Sequence, residues 1–236
     1  MKLHLPIAVC LALALCMSAG GQLVKVKDSS DWWSITGGNF HSPELKSQSK
    51  EINPGNFEIL GTHFRTNGFK GVTAKLGKAS IVQRGDGDTG RQQVCYVAPK
   101  QNPTIHLVFE FGETDSIFYL FTGGADWKGS NYCVASTRVL ADLSTASGLR
   151  LGLTPQQVEA ILGRPDTTVG DTEFYLREFH RRSTPAQFEE QRKEYPDQLS
   201  DAVAHEKFDF CPVEQYIVTK FANSRLTYLA VSTDEE

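Results

Sequence analysis

From Phe57 to the C-terminus the apolar residues follow two rhythms. Val158, Ile161 and Leu162 fall at i, i+3 and i+4, the stripe of a helix with one buried face. The ends of that helix are also encoded. Thr154 is an N-cap, Pro155 stands at the first helical position, and Gln157 completes a Thr-x-x-Gln capping box. Gly163 reads as the left-handed C-terminal cap, with positive φ, at which such a helix stops, and Pro165 prevents continuation. The spacing predicts a helix over 155–162. Burying its three apolar side chains contributes about 1.5–3 kcal/mol each, which so short a helix requires because it cannot stand alone. The second rhythm is alternation. In 106–111, Leu107, Phe109 and Phe111 share one face, with His106, Val108 and Glu110 on the other, which predicts a strand.

The two rhythms recur in the same order. Val72–Lys78 aligns with Val158–Arg164 at an offset of 86, bringing Gly77 onto Gly163. His106–Phe111 aligns with Tyr216–Phe221 at 110, and the following strand, from Ile117, with that from Leu226 at 109. A strand around Tyr96 matches one around Tyr175 at 79, so about 31 extra residues fall between Tyr175 and Tyr216. Repeated order predicts a duplicated unit: a short helix followed by an antiparallel meander, an α+β layer with the helix on one sheet face. The first helix keeps its stripe (Phe69, Val72, Leu76) and the Gly77 stop but lacks the capping box, so it should be the less regular. Residues 56–142 form the first unit and 143–236 the second, with an insertion at 181–204. There Thr184-Pro185-Ala186-Gln187 is another capping box, and a polar surface helix should end before Pro196.

The N-terminal residues read differently. Lys2, the apolar run Leu5–Met17 and the small residues Ser18–Gly21 make residues 1–21 a secretory signal, with an apolar core too short to span a bilayer. An exposed polar arm, 22–55, follows, with Trp32-Trp33 its main apolar feature. Removing the leader leaves Cys95, Cys133 and Cys211 in a compartment where disulfides persist. Three pairings are possible. Cys95 with Cys133 is favoured because both lie in the first unit, leaving Cys211 reduced and buried.

Composition then narrows the function. Hydrophobic residues make up 40% and charged residues 22% of the 236, which suits a folded soluble chain, and the net charge of −4 lacks the basic footprint of a nucleic-acid binder. The Arg84-Gly85-Asp86-Gly87-Asp88-Thr89-Gly90 stretch has alternate carboxylates but no distal bidentate Glu, so it reads as a polar connection and no metal is expected. His205-Glu206 has no second His, no Gly-x-Ser-x-Gly elbow occurs, and neither phosphate-binding glycine motif is present. Cys211 with His205 is the one nucleophile pairing that proximity in sequence suggests.

The stretch Gly152-Leu-Thr154-Pro-Gln-Gln157-Val158-Glu-Ala-Ile161-Leu162-Gly163-Arg-Pro165 resembles the Gly-x-Thr-x-x-x-Val-x-x-x-Leu-Gly-x-Pro signature of the BamE (SmpA/OmlA) outer-membrane lipoproteins and the β-lactamase-inhibitor protein superfamily. The resemblance implies exported binding or assembly proteins without catalysis, with helices packed on a three- to four-stranded antiparallel sheet, carried twice in the inhibitor protein. The motif itself caps and packs. This chain departs in its long arm, its degenerate first helix and its insertion; Leu15 before Cys16 also makes a poor lipobox. The expectation is therefore an extracytoplasmic, cofactor-free protein binder, with no transmembrane segment after the leader, whose partner is another exported or envelope protein. A hydrolase with an unrecognised site and a carrier of a small apolar ligand are the alternatives. If one sheet face lies away from the helices, aromatic residues there form the contact surface, with His106, Glu110, Phe118 and Tyr216 as its candidates.

Overall fold

A computed structural model describes residues 23–25, 51–84, 90–112, 115–123, 132–194 and 201–235. The leader, Trp32-Trp33, residues 85–89 of the Asp-containing connection, and Tyr195-Pro196 lie outside the described residues. The fold is α+β. Its strands are β1 (Leu23–Lys25), β2 (Glu58–Ile59), β3 (Thr62–His63), β4 (Ile81–Arg84), β5 (Arg91–Val97), β6 (Thr104–Phe111), β7 (Asp115–Gly123) and β8 (Val134–Ala135) in the first part of the chain. In the second part come β9 (Thr167–Val169), β10 (Thr172–Arg182), β11 (Phe210–Ala222) and β12 (Arg225–Glu235). The helices are α1 (Phe64–Leu76), α2 (Pro155–Leu162), α3 (Pro185–Glu194) and α4 (Asp201–Phe208).

Instead of two small sheets, the described residues form one ten-stranded sheet in the order β1-β4-β5-β6-β7-β12-β11-β10-β9, with β8 beside β5 and a separate β2–β3 hairpin. Among the described residues only β1 on β4 and β8 on β5 run parallel. The physical reason for the single sheet is the apolar character of β7 and β12. Phe118, Leu120 and Phe121 on one strand and Leu229 and Val231 on the other are fully buried, and an apolar strand left at an edge is a template for aggregation. The two strands therefore pair with each other, Leu120 opposite Leu229 and Phe121 opposite Tyr228. From this central seam the order outward is β7, β6, β5, β4 on one side and β12, β11, β10, β9 on the other.

The helix ends follow their local code. Thr154 N donates to Gln157 Oε1 at 2.9 Å and Gln157 N to Thr154 Oγ1 at 3.3 Å, closing the capping box. Gly163 ends α2 at φ 84°, its N–H donating to Glu159 O at 2.8 Å. Gly77 ends α1 at φ 101°, with its N–H on Thr73 O. Both glycines have ψ near 180° (168° and −169°), so neither is the compact left-handed cap that the sequence suggests; each holds the extended positive-φ conformation that is essentially reserved for glycine. As anticipated, α1 is the less regular helix, uncapped at His63 and kinked at Gly68.

One sheet face carries α1 and α2 over a core that includes Phe57, Phe64, Val72, Tyr96, Leu107, Phe109, Leu120, Val158 and Leu229. The opposite face carries Cys95, Val108, Tyr119, Phe121, Phe174, Val218, Tyr228 and Ala230. The end of the arm is not exposed: Ile52 is buried and its N–H donates to Gln215 Oε1 at 2.8 Å. The insertion is a pair of helices set on the β10–β11 hairpin, closed by Ser183 N donating to Asp209 O at 2.8 Å. α3 has the expected capping box. The sequence pattern does not mark α4, because its apolar Ala202-Val203-Ala204 run is consecutive and has no helical spacing. Among the described residues no helix is long and apolar enough to cross a membrane.

Candidate functional site

The strand register distributes the four candidate contact residues between two faces. Phe109 lies opposite Phe118, so Phe118 belongs to the helix-covered face, where its ring meets Phe64 edge-on at 5.2 Å and it is 0% exposed. It is not available to a partner. His106, Glu110 and Tyr216 are on the second face, but His106 (2% exposed) and Glu110 (4%) are also buried, and only Tyr216 is partly open. The expectation of a bare second face fails here because the chain after β7 returns over it. Tyr132 and Cys133 pack on that face, and Cys133 is joined to Cys95 in a disulfide with Cα atoms 4.5 Å apart. Among the described residues Cys211 is the free thiol, and it is buried.

The covered part of the face is an ordered polar network. Arg91 Nη1 donates to Glu110 Oε1 at 2.9 Å and its Nη2 pairs with Asp115 Oδ2 at 2.7 Å. Gln93 Nε2 donates to the other Glu110 oxygen. These bonds spend the lone pairs of Glu110 on fixed donors, an arrangement suited to position rather than to proton transfer. The His106 ring stacks on Phe121 at 5.2 Å and lies across Gly123, where a Cβ would come within 2.5 Å of the ring. Burial pushes the imidazole down to about 4, so it is neutral at physiological pH. Burial likewise raises Tyr228 well above the usual phenol range, with Tyr119 adding to the effect.

The same face opens toward one end. There Glu178 lies opposite Glu214, Glu214 opposite Asp234, and Asp234 opposite Asp115. Four carboxylates thus stand in line across four neighbouring strands. Their flank is a recess of about 430 Å³ lined by Glu178, His180, Pro212, Glu214 and Asp234. Asp234 Oδ1 is buried and takes no hydrogen bond among the described residues. By alternation along β11, Phe210, Pro212, Glu214 and Tyr216 share this face, and Phe210 is 54% exposed. Like charges directly opposite one another in a sheet are destabilising, and at one end of the row the Arg91–Asp115 ion pair offsets this. The sequence does not reveal it, because only cross-strand register aligns four acids that lie up to 119 positions apart in the chain. Among the described residues no three His, Cys, Asp or Glu side chains form a metal-binding group.

Cys211 and His205 are not brought together as a nucleophile and base. The Cys211 thiol donates to Arg181 O at 3.5 Å, while His205 Nδ1 bonds Asp209 Oδ1 at 2.8 Å and its ring stacks on Phe188 at 4.7 Å. Compared with protein-family models, curated proteins and solved structures, the chain matches none of them.

Proposed function

We propose that this chain is an exported, non-catalytic binding module of inhibitor or assembly type, built from a duplicated helix–meander unit, which grips another exported or envelope protein through the open end of its second sheet face. The row Glu178–Glu214–Asp234–Asp115, bordered by Tyr216 and the exposed Phe210, carries this reading. A patch that combines aromatic side chains with aligned like charge gives a hot-spot surface with electrostatic steering. The partner surface it fits is basic around an apolar pocket.

The duplication has its own support. Leu120, carried by the repeat offset of 109, falls on Leu229, the residue that it faces across the central seam. Tyr96 opposite Leu107 is matched by Tyr175 opposite Ile217, again at the repeat offsets of 79 and 110. Export is supported by the Cys95–Cys133 disulfide.

Affinity capture from the native envelope fraction tests the reading. The wild-type chain should retain a stoichiometric partner that elutes with salt, and Glu214→Lys and Phe210→Ala, both at exposed positions, should each lose it while melting no lower than wild type. Capture unchanged by both substitutions would remove this face from the interface.

A further inference from the structure

Away from the acidic end, the fold carries a second recess of opposite character. It runs beside α1 and β4, measures about 620 Å³, and is lined by Phe69, Thr73, Ala74, Ala79 and Ile81, with Lys70 and Lys78 at its rim. That volume falls within the roughly 300–1,000 Å³ of small-molecule sites, which combine apolar walls with a few orienting polar groups. Phe69 is held in place from below by an edge-on contact with Phe111 at 4.4 Å. From Lys70 to Leu76, the last residue of α1, the helix axis advances roughly 9 Å at 1.5 Å per residue, so part of an extended alkyl chain can lie along the recess.

The charge around it is segregated. No Asp or Glu occurs between Glu58 and Asp86, whereas Arg65, Lys70, Lys75, Lys78 and Arg84 all fall in that interval of an otherwise acidic chain. Neither Lys70 nor Lys78 has an ion-pair partner among the described residues. Ammonium groups on flexible stems above an apolar floor suit a ligand with one anionic head and an apolar body.

We infer that the α1–β4 groove is a binding site for a free fatty carboxylate, its alkyl chain along Phe69, Ala74 and Ile81 and its head group taken by the rim lysines. The experiment is calorimetric titration of the full chain with dodecanoate below its micelle concentration, beside dodecanol and dodecylammonium. Binding should saturate at one per chain, with the carboxylate roughly tenfold tighter than the alcohol and the ammonium weakest. Two exposed ion pairs of ordinary strength give about that ratio. Lys70→Gln/Lys78→Gln should erase the preference for the carboxylate. Ala74→Trp, at an exposed position where the ring can fill the groove, should abolish binding without lowering the melting temperature. Equal affinity for carboxylate and alcohol, non-saturating uptake, or indifference to Ala74→Trp would overturn the proposal. So would binding only to anionic vesicles or to an acidic peptide, since each would make the face a docking surface of another kind.

Discussion

Replacing Gly163 tests how α2 ends. The residue lies at φ 84°, ψ −169°, and an ideal Cβ built there would meet nothing within 4 Å. Any cost of a side chain is thus local backbone strain and not collision with neighbours. Residues forced into this glycine-only region cost about 1–3 kcal/mol. Alanine also restricts the unfolded chain, which returns about 0.4–1 kcal/mol. Gly163→Ala should therefore destabilise by about 1–2 kcal/mol, lowering Tm by roughly 2–8 °C at 2–4 °C per kcal/mol for a domain of this size. Asparagine is the discriminating variant. It is tolerated in the compact left-handed conformation but has no advantage at extended ψ, so Gly163→Asn should melt as low as Gly163→Ala. Thermal and urea melts measure both. Variants that melt with wild type would mean that the helix does not stop at Gly163. An Asn variant that alone recovers wild-type stability would mean that ψ is compact, and the assignment of this backbone would be refuted.

Two further outcomes follow from the second face. His106 binds a proton in the unfolded chain near its ordinary 6.5 but in the fold only near 4; stability must therefore fall as pH drops through that window, by up to about 3 kcal/mol at its lower end. His106→Gln should flatten this part of the pH profile, and a profile as steep as that of wild type between pH 6.5 and 5 would assign the loss to other groups. Cys95 and Cys133 close a 38-residue separation, for which loop entropy gives about 4 kcal/mol. The double Ser variant should show that loss in urea melts, and non-reducing peptide maps of wild type should contain a Cys95–Cys133 peptide; a Cys133–Cys211 peptide would contradict the pairing.

What the sequence by itself determined is local. The Thr154–Gln157 box, the stops at Gly77 and Gly163 and the alternation in 106–111 each involve residues a few positions apart, whose hydrogen bonds and sterics are settled by neighbours in the chain. The weaker local signal of α4 left that helix illegible. The tertiary structure decided what depends on distant pairing. Alternation sorts Phe118 from Tyr119 but does not say which of them faces the helices; the Phe109–Phe118 pairing and the Phe64 contact do. The union of β7 with β12 joins residues more than 100 positions apart, and nothing in either strand's pattern names its neighbour. The same holds for the acidic row. Glu178, Glu214, Asp234 and Asp115 are unremarked singly, and only the register of four strands brings their charges into line, because a sheet places side by side residues that the chain keeps far apart.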